Sequence, residues 1–150
     1  PVSAIIPVAI AMLGLTQAMA LFVISFGAIW PIMLATIHGF AAVEPRLYEV
    51  ARSLQMSKLA VIFKIALPSA SPDILAGMRL SLTVALILSV VCEILAGLDG
   101  LGHWVLLSAR AFRSADLFAG VILLGVTGYV TSVAMSMAEH RLLAWQASQR

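Results

Sequence analysis

The chain has 150 residues, 62% of them hydrophobic and 11% charged, with a formal net charge of +2 and a mean hydropathy of +1.07. Soluble globular domains are about half apolar and a quarter charged, so this composition excludes an ordinary soluble domain and calls for an integral membrane protein. The small net charge suggests no nucleic-acid surface, and the single cysteine, Cys92, excludes an internal disulfide or a cysteine-based metal site.

The chain opens at Pro1 without methionine and has no basic stretch before its first apolar run, so nothing in it reads as a signal peptide. The first span is expected to be entered part-way, as in the C-terminal part of a longer protein. Residues 1–43 carry no formal charge. As one helix they would be roughly twice the ~30 Å hydrocarbon core of a bilayer, so they must break. The break falls at Gly14-Leu15-Thr16-Gln17, where a glycine and two polar residues interrupt the run. Residues 1–13 then form the end of one span and 18–37 a full one, with a kink expected at Pro31. His38 follows at the interface and is read as structural.

The segment 44–68 is the longest polar interval, carrying Glu44, Arg46, Glu49, Arg52, Lys58 and Lys64. Leu47, Val50, Ala51 and Leu54 share one helical face, with Pro45 at the first helical position; Leu59, Ile62, Phe63 and Ala66 repeat the spacing. Glu49 and Arg52 are spaced for an i,i+3 ion pair. Gln55-Met56-Ser57 separates the two sets, and Ser57 suits the cap of the second helix. The expectation is two short amphipathic helices joined by a bend, the second ended by Pro68.

Ser71-Pro72-Asp73 reads as a fresh helix start: a capping hydroxyl, proline at N1 and a carboxylate at the positive end of the dipole. The span that follows is placed at 74–96, and a helix of that length from the cap is about 38 Å long. Arg79 can snorkel to head groups, and Cys92 reads as a buried small hydrophobe. Glu93 is an ionisable residue in a span and hence a candidate for translocation, but its closeness to Gly97 favours an interfacial or structural role. The stretch 97–116 is a loop by composition. Its glycines lack the flanking strand and lysine of a phosphate cradle. A short interfacial helix is expected around 102–112, anchored by Trp104.

Residues 117–138 form the last span, with Gly125, Gly128, Ser132 and Ser136 as a stripe of small residues suited to helix packing in lipid. A polar tail, 139–150, follows. Arg46, Arg52, Lys58, Lys64 and Arg79, with Arg141 and Arg150 on the same side by parity, outnumber Arg110 and Arg113 on the other. The positive-inside rule puts 44–68 and the tail in the cytoplasm and the loop 97–116 outside, in the periplasm.

No Ser/His/Asp grouping, carboxylate pair within a span or metal-ligand cluster is present, so no catalytic residue and no metal site is assigned. A membrane enzyme remains a remote alternative, because only Glu93 could serve it. What is left is a helix–bend–helix segment with an apolar face that suits docking in the groove of a soluble partner.

In that segment Glu49, Ala51, Ile65, Leu67 and Pro68 keep the spacing E-A-A-x3-G-x9-I-x-L-P. This resembles the cytoplasmic signature of the inner-membrane permease subunits of bacterial ABC importers. Val50 replaces the first alanine, and Gln55 stands at the glycine, where a blunter bend is expected. Pro1 to Gly14, Pro72 to Arg79, Glu93 followed by Gly100-Leu101-Gly102, and Glu139 to Trp145 further resemble the nitrate, taurine and aliphatic-sulfonate importers.

The resemblance implies an all-α polytopic membrane protein with the ABC importer permease (MetI-like) fold, present as a C-terminal fragment. It implies a permease in the bacterial inner membrane with no cofactor of its own, ATP and magnesium belonging to partner ATPase subunits docked on Glu49, Val50, Ala51, Gln55, Ile65, Leu67 and Pro68. The other implied partners are a second permease copy and a periplasmic substrate-binding protein. A permease for another solute, such as methionine or a thiamine precursor, would carry much the same segment.

Overall fold

The computed structural model describes residues 4–142, with the side chains of 140 and 142 left aside; the rest of the expected tail lies outside the described residues. All described elements are helical: α1 (Ile5–Leu13), α2 (Gln17–Ala41), α3 (Pro45–Ser53), α4 (Lys58–Ala96), α5 (Leu101–Arg110) and α6 (Ser114–Leu142). Among them α2, α4 and α6 are long and apolar enough to cross a membrane. Their outward faces carry large apolar side chains. One such row on α2 is Phe22, Phe26 and Trp30, whose ring centroids lie 6.3 and 5.8 Å apart at i,i+4 spacing. Exposure that would be costly in water is the expected surface in lipid.

The first break occurs where glycine and threonine place it. Gly14 takes φ +67° and donates its N–H to the Ile10 carbonyl, closing α1. Thr16 then caps α2: its hydroxyl donates to the Leu13 carbonyl at 3.0 Å and accepts from the Met19 N–H at 3.4 Å. The turn folds α1 back on α2. Ile6 and Ala9 bury against Met19, Ala20 and Val23, and Cys92 of α4 completes this cluster.

α2 and α4 pack along most of their length, and their backbones approach closely at two glycines. A methyl group at Gly77 would collide with the Ala35 side chain and lie 3.2 Å from the Pro31 carbonyl oxygen. One at Gly39 would meet Asp73 at 3.0 Å and Ala70 at 3.1 Å. At the Gly77 crossing, on the side away from Gly39, Pro31 removes an N–H from α2, which remains one helix. The neighbouring Ile32 N–H donates across the interface to the buried Ser81 hydroxyl at 3.1 Å. A backbone group beside the proline in one helix is thus bonded by a side chain of the other.

The expected stop at Pro68 and restart at Ser71 do not occur. α4 runs without a break from Lys58 to Ala96, with a π-turn at Ile62–Ala66. The wider π register lies just ahead of Pro68, where an α-turn would drive the ring against the carbonyl four residues back. Pro72 likewise has no N–H for the Pro68 carbonyl, and that carbonyl accepts the Ser71 hydroxyl at 2.8 Å. Ser71 therefore acts inside a helix instead of capping a new one, and the span is continuous with the second half of the polar segment.

Candidate functional site

The 44–57 part of the polar segment stands at one end of the α2–α4 pair. Pro45 occupies the first turn of α3, and Ala51 is the buried residue of its inward face. The helix ends in a Schellman turn. The Met56 N–H reaches the Ala51 carbonyl and the Gln55 N–H the Arg52 carbonyl, both at 3.0 Å. Gln55 sits at φ +50°, the left-handed region that favours glycine. The bend is therefore as tight as a glycine would make it, contrary to the blunter one expected, and the side chain bears a conformational cost of about 1 kcal/mol. Ser57 caps the next helix by accepting the Ala60 N–H at 3.3 Å, and α4 begins.

The two helical stretches enclose an open groove of about 680 Å³ lined by Tyr48, Glu49, Ala51, Arg52, Met56 and Ile62, among others. Glu49 and Arg52 both line it but form no ion pair; the pair beside this helix is Arg46 with Glu44, at 4.0 Å and exposed. Val50, Leu54, Leu59 and Phe63 point away from the chain, each more than half exposed. Leu67 is partly exposed, Ile65 and Pro68 are half-buried, and Ala66 is buried. Of the signature positions, Ala51 faces inward, whereas Val50 belongs to the outward apolar ridge, whose other members flank Gln55 outside the signature. Behind them, His38 at the end of α2 lies 3.9 Å from Asp73 of α4.

At the opposite end Glu93 is drawn into a contact. Its Oε2 accepts the Gly102 N–H at 2.8 Å, and its Oε1 accepts the Ser89 hydroxyl at 3.3 Å. A cavity of about 450 Å³ lies beside it, lined by Gln17, Ser89, Cys92, Leu98 and Asp99, among others. Trp104 of α5 is partly exposed and packs on α6 at Gly120.

The stripe on α6 divides in two. Arg79 of α4 donates to the Ser132 hydroxyl at 3.5 Å, whereas a methyl group at Gly125 or Gly128 would meet nothing within 4 Å. Ser136 is half-buried. Residue patterns did not single out Gly39, Gly77 or Ser81. Their only signal is a small or polar residue inside a long apolar helix, which many positions share. Among the described residues no cluster of histidine, cysteine or carboxylate side chains is arranged to hold a metal ion.

Residues 1–143 match the family described as the inner membrane component of binding-protein-dependent transport systems. The chain is 33% identical over 148 residues to a putative aliphatic sulfonates transport permease protein of Bacillus subtilis, covering 99% of this chain and 54% of that protein. The Escherichia coli protein of the same description is 29% identical, with 97% and 55% covered. A bicarbonate transport system permease protein of Synechococcus elongatus is 29% identical, with 93% and 48% covered. The chain spans about half the length of the curated relatives it matches. An all-helical fold with three membrane-length helices, matched over nearly all of its sequence, places this chain in the family of binding-protein-dependent transport inner membrane components.

Proposed function

We propose that the chain is part of a permease subunit of an ATP-driven importer that carries a small solute across the inner membrane by alternating access. The solute class we favour is a small oxoanion such as an aliphatic sulfonate, because the relatives are described as permeases for aliphatic sulfonates and bicarbonate. The orientation follows the basic residues, with 44–57 in the cytoplasm and α5 outside.

One observation carries the reading. The apolar ridge Val50, Leu54, Leu59 and Phe63 flanks a left-handed turn, and its second half is continuous with a 39-residue helix. That helix is about 58 Å long. An ATPase groove that accepts the ridge would therefore grip the end of a membrane-crossing helix, and closure of the ATPase pair would move that helix with no loop in between, through the π-turn at Ile62–Ala66. A second permease copy would complete the solute path, and a periplasmic binding protein would load it from the outer side.

Glu49→Lys in the intact permease tests the docking. Both solute uptake and co-purification of the ATPase should fall at least about tenfold, a modest loss for a charge reversed in a docked groove, with the amount of inserted permease unchanged. Recovery of the ATPase at the wild-type level would refute the assignment of this segment.

A further inference from the structure

The carboxylate of Glu93 does for α5 what a capping side chain does for most helices. The residue before α5 is Gly100, which has no side chain to offer its first-turn N–H groups. Glu93, projecting from α4, accepts the N–H of Gly102 in the second position of α5 at 2.8 Å. A negative charge there also complements the helix dipole. Ser89, one turn earlier on α4, donates to the other oxygen and fixes the carboxylate's rotation.

The two glycines make room for this contact. A methyl group at Gly100 would overlap the Glu93 carboxylate, and one at Gly102 would lie 3.0 Å from its Oε2 and 2.9 Å from the Val90 carbonyl oxygen. Gly100 has φ 173°, an extended conformation open to any residue, so space rather than backbone freedom explains glycine there.

What the contact ties together gives it consequence. α5 packs on α6 through Trp104 and Val105 against Gly120, so the two form one packed unit. That unit joins the α2–α4 pair by two side-chain hydrogen bonds, Glu93 to Gly102 at the outer end and Arg79 to Ser132 further along. The 3.5 Å contact is the weaker. The segment from Gly97 to α5 also borders the cavity that Gln17, Ser89, Cys92 and Asp99 line.

We propose that Glu93 is a positioning residue: its carboxylate clasps the N-terminus of α5 to α4, holding the α5–α6 unit against the outer end of the α2–α4 pair. The uptake part of the test rests on the transport reading above; the labelling part does not. Cys92 is the only cysteine and is 1% exposed beside this clasp, so its reaction with a small methanethiosulfonate reports opening there.

In the intact permease, Glu93→Ala should speed labelling about tenfold, the scale of a lost charge-assisted hydrogen bond, and lower the maximal uptake rate more than it changes the half-saturating solute concentration. Glu93→Gln loses the charge but retains an acceptor oxygen, and should lie closer to wild type than to Glu93→Ala in both. Gly100→Ala alone should resemble Glu93→Ala, and in the Glu93→Ala background it should add nothing, because the overlapping group is gone. Loss of uptake in Glu93→Gln with unchanged labelling would overturn the proposal in favour of direct solute contact. Independent, additive effects of Glu93→Ala and Gly100→Ala on labelling would overturn it as well. Faster labelling with unaltered uptake would uphold the clasp and count against the transport reading alone.

Discussion

The α2–α4 pair and the α6 helix are both apolar and membrane-length, yet they use small residues in opposite ways. In the pair, Gly39 and Gly77 lie at points of close approach, where an added methyl group would be tight against Ala70 and Asp73 in the one case and collide with Ala35 in the other. On α6, Gly125 and Gly128 face open space within this chain. In lipid the hydrophobic effect does not draw helices together, so close association needs surfaces that interlock and polar groups that bond across them. The pair has both, in Gly77 against Ala35 and in Ile32 to Ser81. Among the described residues α6 makes one side-chain hydrogen bond to α4, from Arg79 to Ser132, and it packs on α5 at Gly120. Small residues in a span therefore mark permission for contact, and only a facing partner turns permission into packing.

The severest break of this contrast is Gly77→Leu. Its first side-chain carbon already collides with Ala35, and the next neighbours are backbone atoms of Ile32 and Pro31 that cannot swing aside. Overpacking of this kind costs on the order of 3 kcal/mol. The melting temperature of the purified permease in detergent should drop by several degrees, with lower yield in the membrane. An unchanged melting temperature would mean that the two helices are not held at this crossing.

A smaller change tests the polar half of the same interface. Ser81→Ala removes the acceptor for the Ile32 N–H while leaving the crossing uncrowded. Loss of this part-buried hydrogen bond costs about 1 kcal/mol. Ser81→Thr, which restores a hydroxyl, should recover most of the loss in the same melting assay. Equal behaviour of the alanine and threonine variants would remove the hydroxyl from the account.

The contrast also shows which parts of the molecule were legible in the sequence. The break at Gly14 and Thr16, proline at the start of α3 and the Ser57 cap are local signals, and each appears where its chemistry puts it. The spacing from Glu49 to Pro68 is equally local. Pro68 and Ser71 misled because proline stops a helix only when nothing absorbs the clash and the missing bond. Here a π-turn lies ahead of the first proline, and a hydroxyl serves the carbonyl opposite the second. Gln55 misled in another way: its side chain disfavours the left-handed turn, but two backbone bonds and the burial of Ala51 hold it there. The contact of Glu93 with Gly102 depends on the chain reversal at Gly97, which takes φ +64° as the left-handed C-cap of α4. A pattern read along one helix cannot supply a partner that the reversal brings back.

The mildest variant sharpens the other side of the comparison. Gly125→Ala and Gly128→Ala, made together, put methyl groups where no atom of the described chain lies within 4 Å. Without a collision, only backbone preference remains, and alanine is the better helix former by up to about 1 kcal/mol per site in water. The melting temperature of the permease should therefore stay level or rise slightly, in contrast to the fall for Gly77→Leu. A fall of similar size from the alanine pair would show that the open face of α6 is closed by another helix in the assembled protein. It would also show that small residues mean close contact on both sides of the molecule. A level or rising value would keep the two kinds of glycine apart: one set fixed by a neighbour's backbone, the other free to carry a side chain.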